Sequence, residues 1–260
     1  MKILHLIIYS NSKYSDDVQE GVYENMYKVL SKYYKKYNKD VKTYFIKYNN
    51  NVKKIYSKDY IINDDIIHID GDESFIPGIL EKCIVAFKIF SNIHYDYMVR
   101  SNISTIIEFN NLITYLNNNP IDYYGSGKLV NLQWNGGGIN DSTWYNTIFA
   151  SGTSIILTNT AVKNIISDEE KMKKEIIDDV SIGIYVREHH KDVKPHQIDS
   201  KYFEEVPLFF KDTAESINNY LKTIKDRPII FYRNKCLGIK GKDRIIDSKQ
   251  MSIITKFLEL

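Results

Sequence analysis

A chain of 260 residues with 43% hydrophobic content is long enough to bury a core as one domain, residues 1–260, and its length does not demand a second. Thirty-five Lys+Arg against 33 Asp+Glu leave a formal charge of +2, too small to draw the protein to nucleic acid or an acidic membrane surface. Cys83 and Cys236 stand far apart and match no metal or redox spacing, which suits packing roles in a reducing, cytoplasmic setting. The opening apolar run to Tyr9 is too short for a signal peptide and is broken by His5, and no later run approaches a membrane span. Abundant Ile, Asn, Lys and Tyr, residues with AT-rich codons, point to an AT-biased genome such as that of a large virus or a low-GC bacterium.

In chain order, Lys2 to Tyr9 reads as a buried parallel strand opening onto Ser10-Asn11-Ser12. From Ser15-Asp16-Asp17 the spacing of Val18, Val22, Met26, Val29, Leu30 and Tyr33 predicts a helix laid back on the sheet. Val41 to Ile46 reads as a second strand, followed by a polar connection over 49–65 with a weak apolar patch at Tyr60-Ile61-Ile62. Ile66 to Ile69 reads as a third strand, closed by Asp70-Gly71-Asp72, and a helix from Pro77 carries Ile79, Leu80, Cys83, Ile84, Phe87 and Phe90. This alternation predicts an α/β fold with a mostly parallel, doubly wound central sheet flanked by helices.

Tyr97 to Val99 reads as a short buried strand running into Arg100-Ser101-Asn102-Ile103-Ser104, a polar end placed where open α/β sheets hold ligands. A strand followed by an Asn/Ser helix cap is the other reading. Thr105 to Tyr115 shows helical spacing at Ile106, Ile107, Leu112 and Ile113. Tyr124-Gly125-Ser126-Gly127 and Asn135-Gly136-Gly137-Gly138 bracket a short strand over 128–133, and the three glycines form a flexible loop or a close backbone approach to a ligand. No Walker or dinucleotide fingerprint fits, which disfavours a flavodoxin-like or Rossmann oxidoreductase. Phe149 to Leu157 places small residues before a β-branched run, a helix covers Thr160 to Ile166, and Ile176-Ile177-Asp178-Asp179-Val180-Ser181-Ile182-Gly183 reads as an apolar strand carrying adjacent carboxylates. Such acids are costly to bury unless used or paired, a solvated N-cap pair being the alternative. The tail from Asp192 completes the domain, with an apolar patch at Phe203, Val206, Leu208 and Phe209, a helix over 214–224, a strand over 228–232 and a terminal helix over 253–260. Arg227, Arg233, Lys235, Lys240, Lys242 and Arg244 make this end basic, as a solvated face or as a lip over diphosphate or an anionic acceptor.

The segments around Arg100-Ser101-Asn102-Ile103-Ser104, Tyr123-Tyr124-Gly125, Phe149-Ala150-Ser151-Gly152 and Asp178-Asp179-Val180-Ser181-Ile182-Gly183, in that order, resemble the β-1,3-galactosyltransferase and Fringe group of glycosyltransferases over roughly residues 60–190. The resemblance implies a GT-A-like (Rossmann-like) fold with a nucleotide-binding half, 1–100, and an acceptor half with C-terminal completion, 101–260. It also implies transfer of a sugar from a nucleotide diphosphate sugar, expected to be a UDP-sugar, to an acceptor hydroxyl of a glycan or protein, with inversion. Asp179, with Asp178 beside it, matches the acidic segment whose second acid is the proposed base, while Ser151 and Gly152 match the acceptor-lining segment. Glu73, where the group usually has Asp, and Lys82, within one position of a basic residue often found there, resemble the segment upstream of the metal strand. Tyr9, Ser10 and Asn11 are candidates for base and ribose contacts, and Arg100, Asn102 and Ser104 face the diphosphate.

Where that group carries acids for a divalent metal, this chain has Asn102-Ile103-Ser104. Neutral amide and hydroxyl oxygens are permitted ligands for Mn²⁺ or Mg²⁺, with the ion then held mostly by phosphate and water. Metal dependence is therefore an open expectation, and no organic cofactor beyond the sugar donor is implied. A literal D-x-D at Asp70-Gly71-Asp72 reads instead as turn chemistry. Trp134 and Trp144 are candidates to stack on a sugar or acceptor, or to pack under the glycine loop. His189 is a candidate return ligand to the metal, although an exposed His pair is the commoner occurrence. The rival function is a nucleotide- or carbohydrate-binding module without turnover.

Overall fold

The computed structural model describes residues 1–10, 21–207, 209, 213–234 and 244–259. Asn11, Ser15-Asp16-Asp17, Val18, Leu208, Lys235, Cys236, Lys240, Lys242 and Leu260 lie outside the described residues. The first half runs β1 (Ile3–Ile8), α1 (Val22–Tyr34), β2 (Val41–Tyr48), α2 (Val52–Tyr56), β3 (Tyr60–Asn63), β4 (Ile66–Ile69), α3 (Gly78–Phe90) and β5 (Tyr97–Asn102). It continues through β6 (Thr105–Ile107), α4 (Phe109–Asn118), β7 (Tyr124–Ser126), β8 (Leu129–Asn131), β9 (Ile148–Ala150), β10 (Ile155–Thr158), α5 (Asn159–Ser167) and α6 (Asp178–His189). The tail supplies β11 (His196–Gln197), β12 (Phe203–Val206), α7 (Thr213–Ile224), β13 (Phe231–Asn234) and α8 (Arg244–Phe257).

Among the described residues the main sheet has eight strands in the order β11-β7-β10-β5-β1-β2-β4-β3. β1 pairs in parallel with β2 and β5, and β2 with β4, whereas β3 and β10 run antiparallel to their neighbours. Side chains of a strand alternate between faces, and β1 shows the result. Ile3 and Ile7 pack with Met26 and Leu30 of α1 and Met251 of α8, while Leu4 and Leu6 pack with Leu80 and Ile84 of α3 and Val162 of α5. The sheet is thus covered by helices on both faces, as the mostly parallel α/β reading expected. No helix among the described residues is long and apolar enough to cross a membrane.

Several expectations change. Thr105–Ile107 is a strand, not the start of a helix, because β13 pairs antiparallel with it and shares a small sheet with β12. The strand read at Tyr97 to Val99 continues to Asn102, and the patch at Tyr60-Ile61-Ile62 is the antiparallel edge strand β3. The acidic segment is helix α6, not a strand; Val180, Ser181, Ile182, Gly183, Ile184, Tyr185 and Val186 are all buried, and a helix enclosed on every side carries no amphipathic stripe to reveal it. The terminal helix begins at Arg244, nine residues ahead of the expected Ile253, and the tail strand is Phe231–Asn234.

His5 sits in the middle of β1 with no exposed surface. Its Nε2 lies 2.9 Å from Ser101 Oγ and its Nδ1 3.3 Å from Thr43 Oγ1, so one side chain bridges three adjacent strands. Burial holds the ring neutral by pushing its pKa down to about 3. The unfolded chain therefore binds a proton that the folded chain refuses between pH 6.5 and about 3, and this group's contribution to stability falls as pH drops through that window. In urea unfolding across pH 4 to 6, wild type minus His5→Leu should show a slope of about 1.4 kcal/mol per pH unit. A pH-independent difference would mean that the ring is charged in the core.

Candidate functional site

Because β1 and β5 are parallel neighbours in register, with Ile8 opposite Asn102, their carboxyl ends open at one edge of the sheet. A cavity of about 630 Å³ lies there. Ser10 from the end of β1 and Arg100, Asn102 and Ser104 from the end of β5 line one wall. Ser151 and Gly152, from the turn between β9 and β10, line another together with Asp178 and Asp179 from the first turn of α6. Most of the expected site residues are therefore brought together. Tyr9 borders the cavity but turns its ring into the core, stacking on Tyr27 at 5.4 Å and donating its hydroxyl to Glu24 at 2.6 Å.

The geometry is fixed by a buried ion pair. Arg100 Nη2 lies 2.5 Å from Asp178 Oδ2, both side chains being 3% exposed or less, and Arg100 Nη1 donates to the Gly152 carbonyl at 2.5 Å. Arg100 is thereby committed to Asp178 and the Gly152 turn. Asp178 is committed to this pair. Asp179 points to the cavity with Oδ2 accepting from Gly152 N–H at 2.8 Å and Oδ1 from Val180 N–H at 2.9 Å. Burial, then the charge of Asp178, push its carboxyl up to about 6 against the pull of Arg100 and the two backbone donors. A carboxylate poised at that value ionises near neutrality while keeping appreciable basicity.

Two glycines permit this approach. A Cβ on Gly152 would stand 2.5 Å from Arg100 Nη1 and 3.2 Å from Asp179 Oδ2. One on Gly183 would stand 2.3 Å from the Phe149 Cβ of β9, and Gly183 lies one turn from Asp179 on the same helix face. Helix α6 therefore rests directly on β9, which presses its acidic first turn against the Ser151-Gly152 turn.

The opposite wall departs from expectation. Arg233 of β13 projects over the end of β5, and its Nη1 donates to Asn102 Oδ1, to Ser104 Oγ at 2.6 Å and to Thr105 Oγ1 at 3.3 Å. Arg244, at the start of α8, lines the same cavity and pairs with Asp247 at 2.7 Å. Burial and the neighbouring Arg244 both work against the charge of Arg233. Composition had marked these two arginines only as part of a basic tail; the β6–β13 pairing that lifts Arg233 over the site joins segments more than a hundred residues apart. A divalent ion does not fit the expected ligands. Asn102 and Ser104 offer neutral oxygens already held by a guanidinium, and among the described residues no group of three or more His, Cys, Asp or Glu is placed to hold a metal.

Other expected members lie elsewhere. Lys82 is fully buried, pairs with Glu73 at 2.6 Å and donates to the Tyr9 carbonyl at 3.2 Å, so Glu73 and Lys82 prop the end of β1 from beneath. Trp144 is buried with Phe149, Ile176 and Val180 in a small core under the glycine loop, the packing alternative. Trp134 is 43% exposed and leans on Phe149 without lining the cavity. His189 ends α6, about 16 Å along the helix from Asp178 at 1.5 Å per residue, and its ring lies against Tyr185, away from the cavity. Asp70 and Asp72 accept from Lys53 N–H and Asn50 Nδ2 in a turn beside a separate surface hollow.

A mostly parallel central sheet, helices on both faces and a cavity at the carboxyl ends of its strands define an architecture of the GT-A glycosyltransferase type. A glycosyltransferase involved in the glycosylation of the major capsid of PBCV-1 superposes with a TM-score of 0.51 at 9% identity, over 96% of this chain and 99% of its own. The galactosyltransferase LgtC, solved with donor and acceptor sugar analogs, gives 0.45 at 8% identity over 98% of this chain and 95% of its own. Apo GlyE of Streptococcus pneumoniae TIGR4 gives 0.42 at 12% identity, and this chain spans 63% of the GlyE chain. At such identities the likeness is one of fold. No protein-family model matches the chain, and no curated protein matches it.

Gly183→Ala should force α6 away from β9 and cost about 1 to 3 kcal/mol, the usual range for overpacking a tight contact. Urea unfolding of the variant measures it; an unchanged midpoint would mean that the helix does not depend on this contact for its place.

Proposed function

We propose that this chain transfers a sugar from a nucleotide diphosphate sugar, a UDP-sugar in the first instance, to an acceptor hydroxyl with inversion, and that Asp179 is the general base. The observation that carries this reading is the placement of Asp179, with an elevated pKa and both oxygens oriented by backbone N–H groups, facing a cavity whose other wall is cationic. An in-line displacement needs a base on one side of the anomeric carbon and a stabilised anion on the other. In the proposed step the acceptor oxygen forms its bond to the anomeric carbon as Asp179 takes the hydroxyl proton. The bond from that carbon to the diphosphate oxygen breaks, and the nucleoside diphosphate leaves with the electron pair. Ser151 and the Gly152 turn border the acceptor side.

The resemblance to the β-1,3-galactosyltransferase and Fringe group belongs to this proposal. It is supported by the Asp179–Gly183 spacing, which sets the acid and the close-packing glycine on one face of α6. Glycan or protein acceptors remain part of the reading, as does residence in the cytoplasm, which the buried free thiol of Cys83 suits.

Incubation with a panel of nucleotide sugars, with release of nucleoside diphosphate as the readout, tests the proposal. Asp179→Asn should lower turnover by about 10²- to 10⁴-fold while leaving nucleotide binding intact. Wild-type turnover should fall about tenfold per pH unit below about 6, since protonation removes the base. Nucleotide binding without release from any donor would replace the transferase by a binding module.

A further inference from the structure

If the cavity takes a nucleotide sugar, something in it must neutralise the diphosphate that leaves. The acids that would recruit a metal for this purpose are absent from Asn102-Ile103-Ser104, and the oxygens present there already hold Arg233. A metal placed on Asn102 Oδ1 and Ser104 Oγ would compete with the guanidinium for those atoms and be repelled by its charge.

Arg233 itself is in an unusual position. It is 8% exposed, its three acceptors are all neutral oxygens, and it forms no ion pair among the described residues. Those acceptors orient the cation without neutralising it. All three bonds run through Nη1, and a guanidinium carries five N–H donors, so Nε and Nη2 retain donors with no acceptor among the described residues. Arg244 shares the cavity, where the nearby carboxylates are Asp247, which pairs with Arg244, and Glu205, which pairs with Lys128. Two cations brought together at a largely buried site repel, and an anion seated between them relieves both the repulsion and the unmet donors. Arginine forks match phosphate oxygens in pairs, which a lysine point charge does not.

We infer that Arg233, with Arg244 beside it, is the diphosphate-binding cation of this cavity, standing where a divalent metal would otherwise be held, and that a pyrophosphate group binds there without metal. The identity of this group as a leaving group rests on the transferase reading; its binding does not. Asn102, Ser104 and Thr105 are then positioning residues for the guanidinium, with no role as metal ligands.

Calorimetric titration with inorganic pyrophosphate, inorganic phosphate, UMP and UDP, each in EDTA and in Mn²⁺ or Mg²⁺, tests the inference. Pyrophosphate and UDP should bind in EDTA within about threefold of their affinity with metal, and more tightly than phosphate and UMP. Arg233→Gln should weaken them by roughly ten- to a hundredfold, as loss of charge-assisted bonds does. Arg233→Lys should recover part of that, the charge without the fork. Because Arg233 is buried, its variants are checked by thermal unfolding, and the more exposed Arg244→Gln, expected to lose about tenfold, reports on the same anion if Arg233→Gln does not fold. Binding abolished by EDTA and restored by Mn²⁺ would overturn the inference and leave sugar transfer standing. So would an absence of pyrophosphate and UDP binding in both buffers, or folded Arg233→Gln and Arg244→Gln proteins that bind as the wild type does. Metal-free pyrophosphate binding without turnover of any donor would uphold the inference and remove the transferase reading.

Discussion

The ion pair between Arg100 and Asp178 joins the middle of the sheet to the first turn of α6, and both partners are withdrawn from water. Removing either would strand the other charge in the interior, at a cost of about 3 to 5 kcal/mol. The pair also organises what surrounds it. The second guanidinium nitrogen of Arg100 takes the Gly152 carbonyl, and the N–H of the same Gly152 takes Asp179, so one turn residue ties the cation to the second acid. The amino end of α6 adds its dipole to the stabilisation of both carboxylates. Three elements distant in sequence meet here, and the cavity's acidic wall follows from their meeting.

Two adjacent acids and one arginine cannot both be satisfied as ion pairs. Asp178 takes the arginine, and Asp179 keeps a carboxyl whose charged form suffers from burial and from its neighbour. The pairing thus divides two identical side chains into one committed to an ion pair and one held by backbone donors at the cavity. In the sequence Asp179 was singled out only through the resemblance, since which acid is paired depends on which one meets Arg100 in the fold.

Much of the sheet could be read in advance because β1 is buried on both faces and apolar except for His5, and β2 and β4 keep apolar clusters around Lys42, Thr43, Lys47 and His68. The same property hid α6, where burial on every side erased the period that distinguishes helix from strand. Ile106 and Ile107 failed for a different reason: two apolar residues fit either a helix or a strand, and the decision belonged to β13 far along the chain. At the site, Asp179, Arg100 and Gly152 were legible because their types and order carry chemistry. Arg233 was one arginine in a basic tail, and nothing local separates a cation lifted over a strand end from one in solvent. Lys82 and His189 do not line the cavity, because a motif position fixes neighbours along the chain and not the direction in which a side chain points.

The cavity has two walls of opposite character, and each breaks a rule that ordinary packing obeys. On one, a carboxylate is held beside another carboxylate; on the other, a buried guanidinium is held by neutral oxygens while a second guanidinium stands near it. Either arrangement lowers the stability of the empty protein relative to an apolar or fully paired alternative. Departures of this sort cluster where a fold binds or reacts, and here they face each other across a single space. A strand end without acids, taken alone, reads as the loss of a metal site. Set opposite Asp179 and beneath Arg233, the same Asn102-Ile103-Ser104 reads as a seat for a different cation, because its amide and hydroxyl oxygens accept a guanidinium's protons without cancelling its charge.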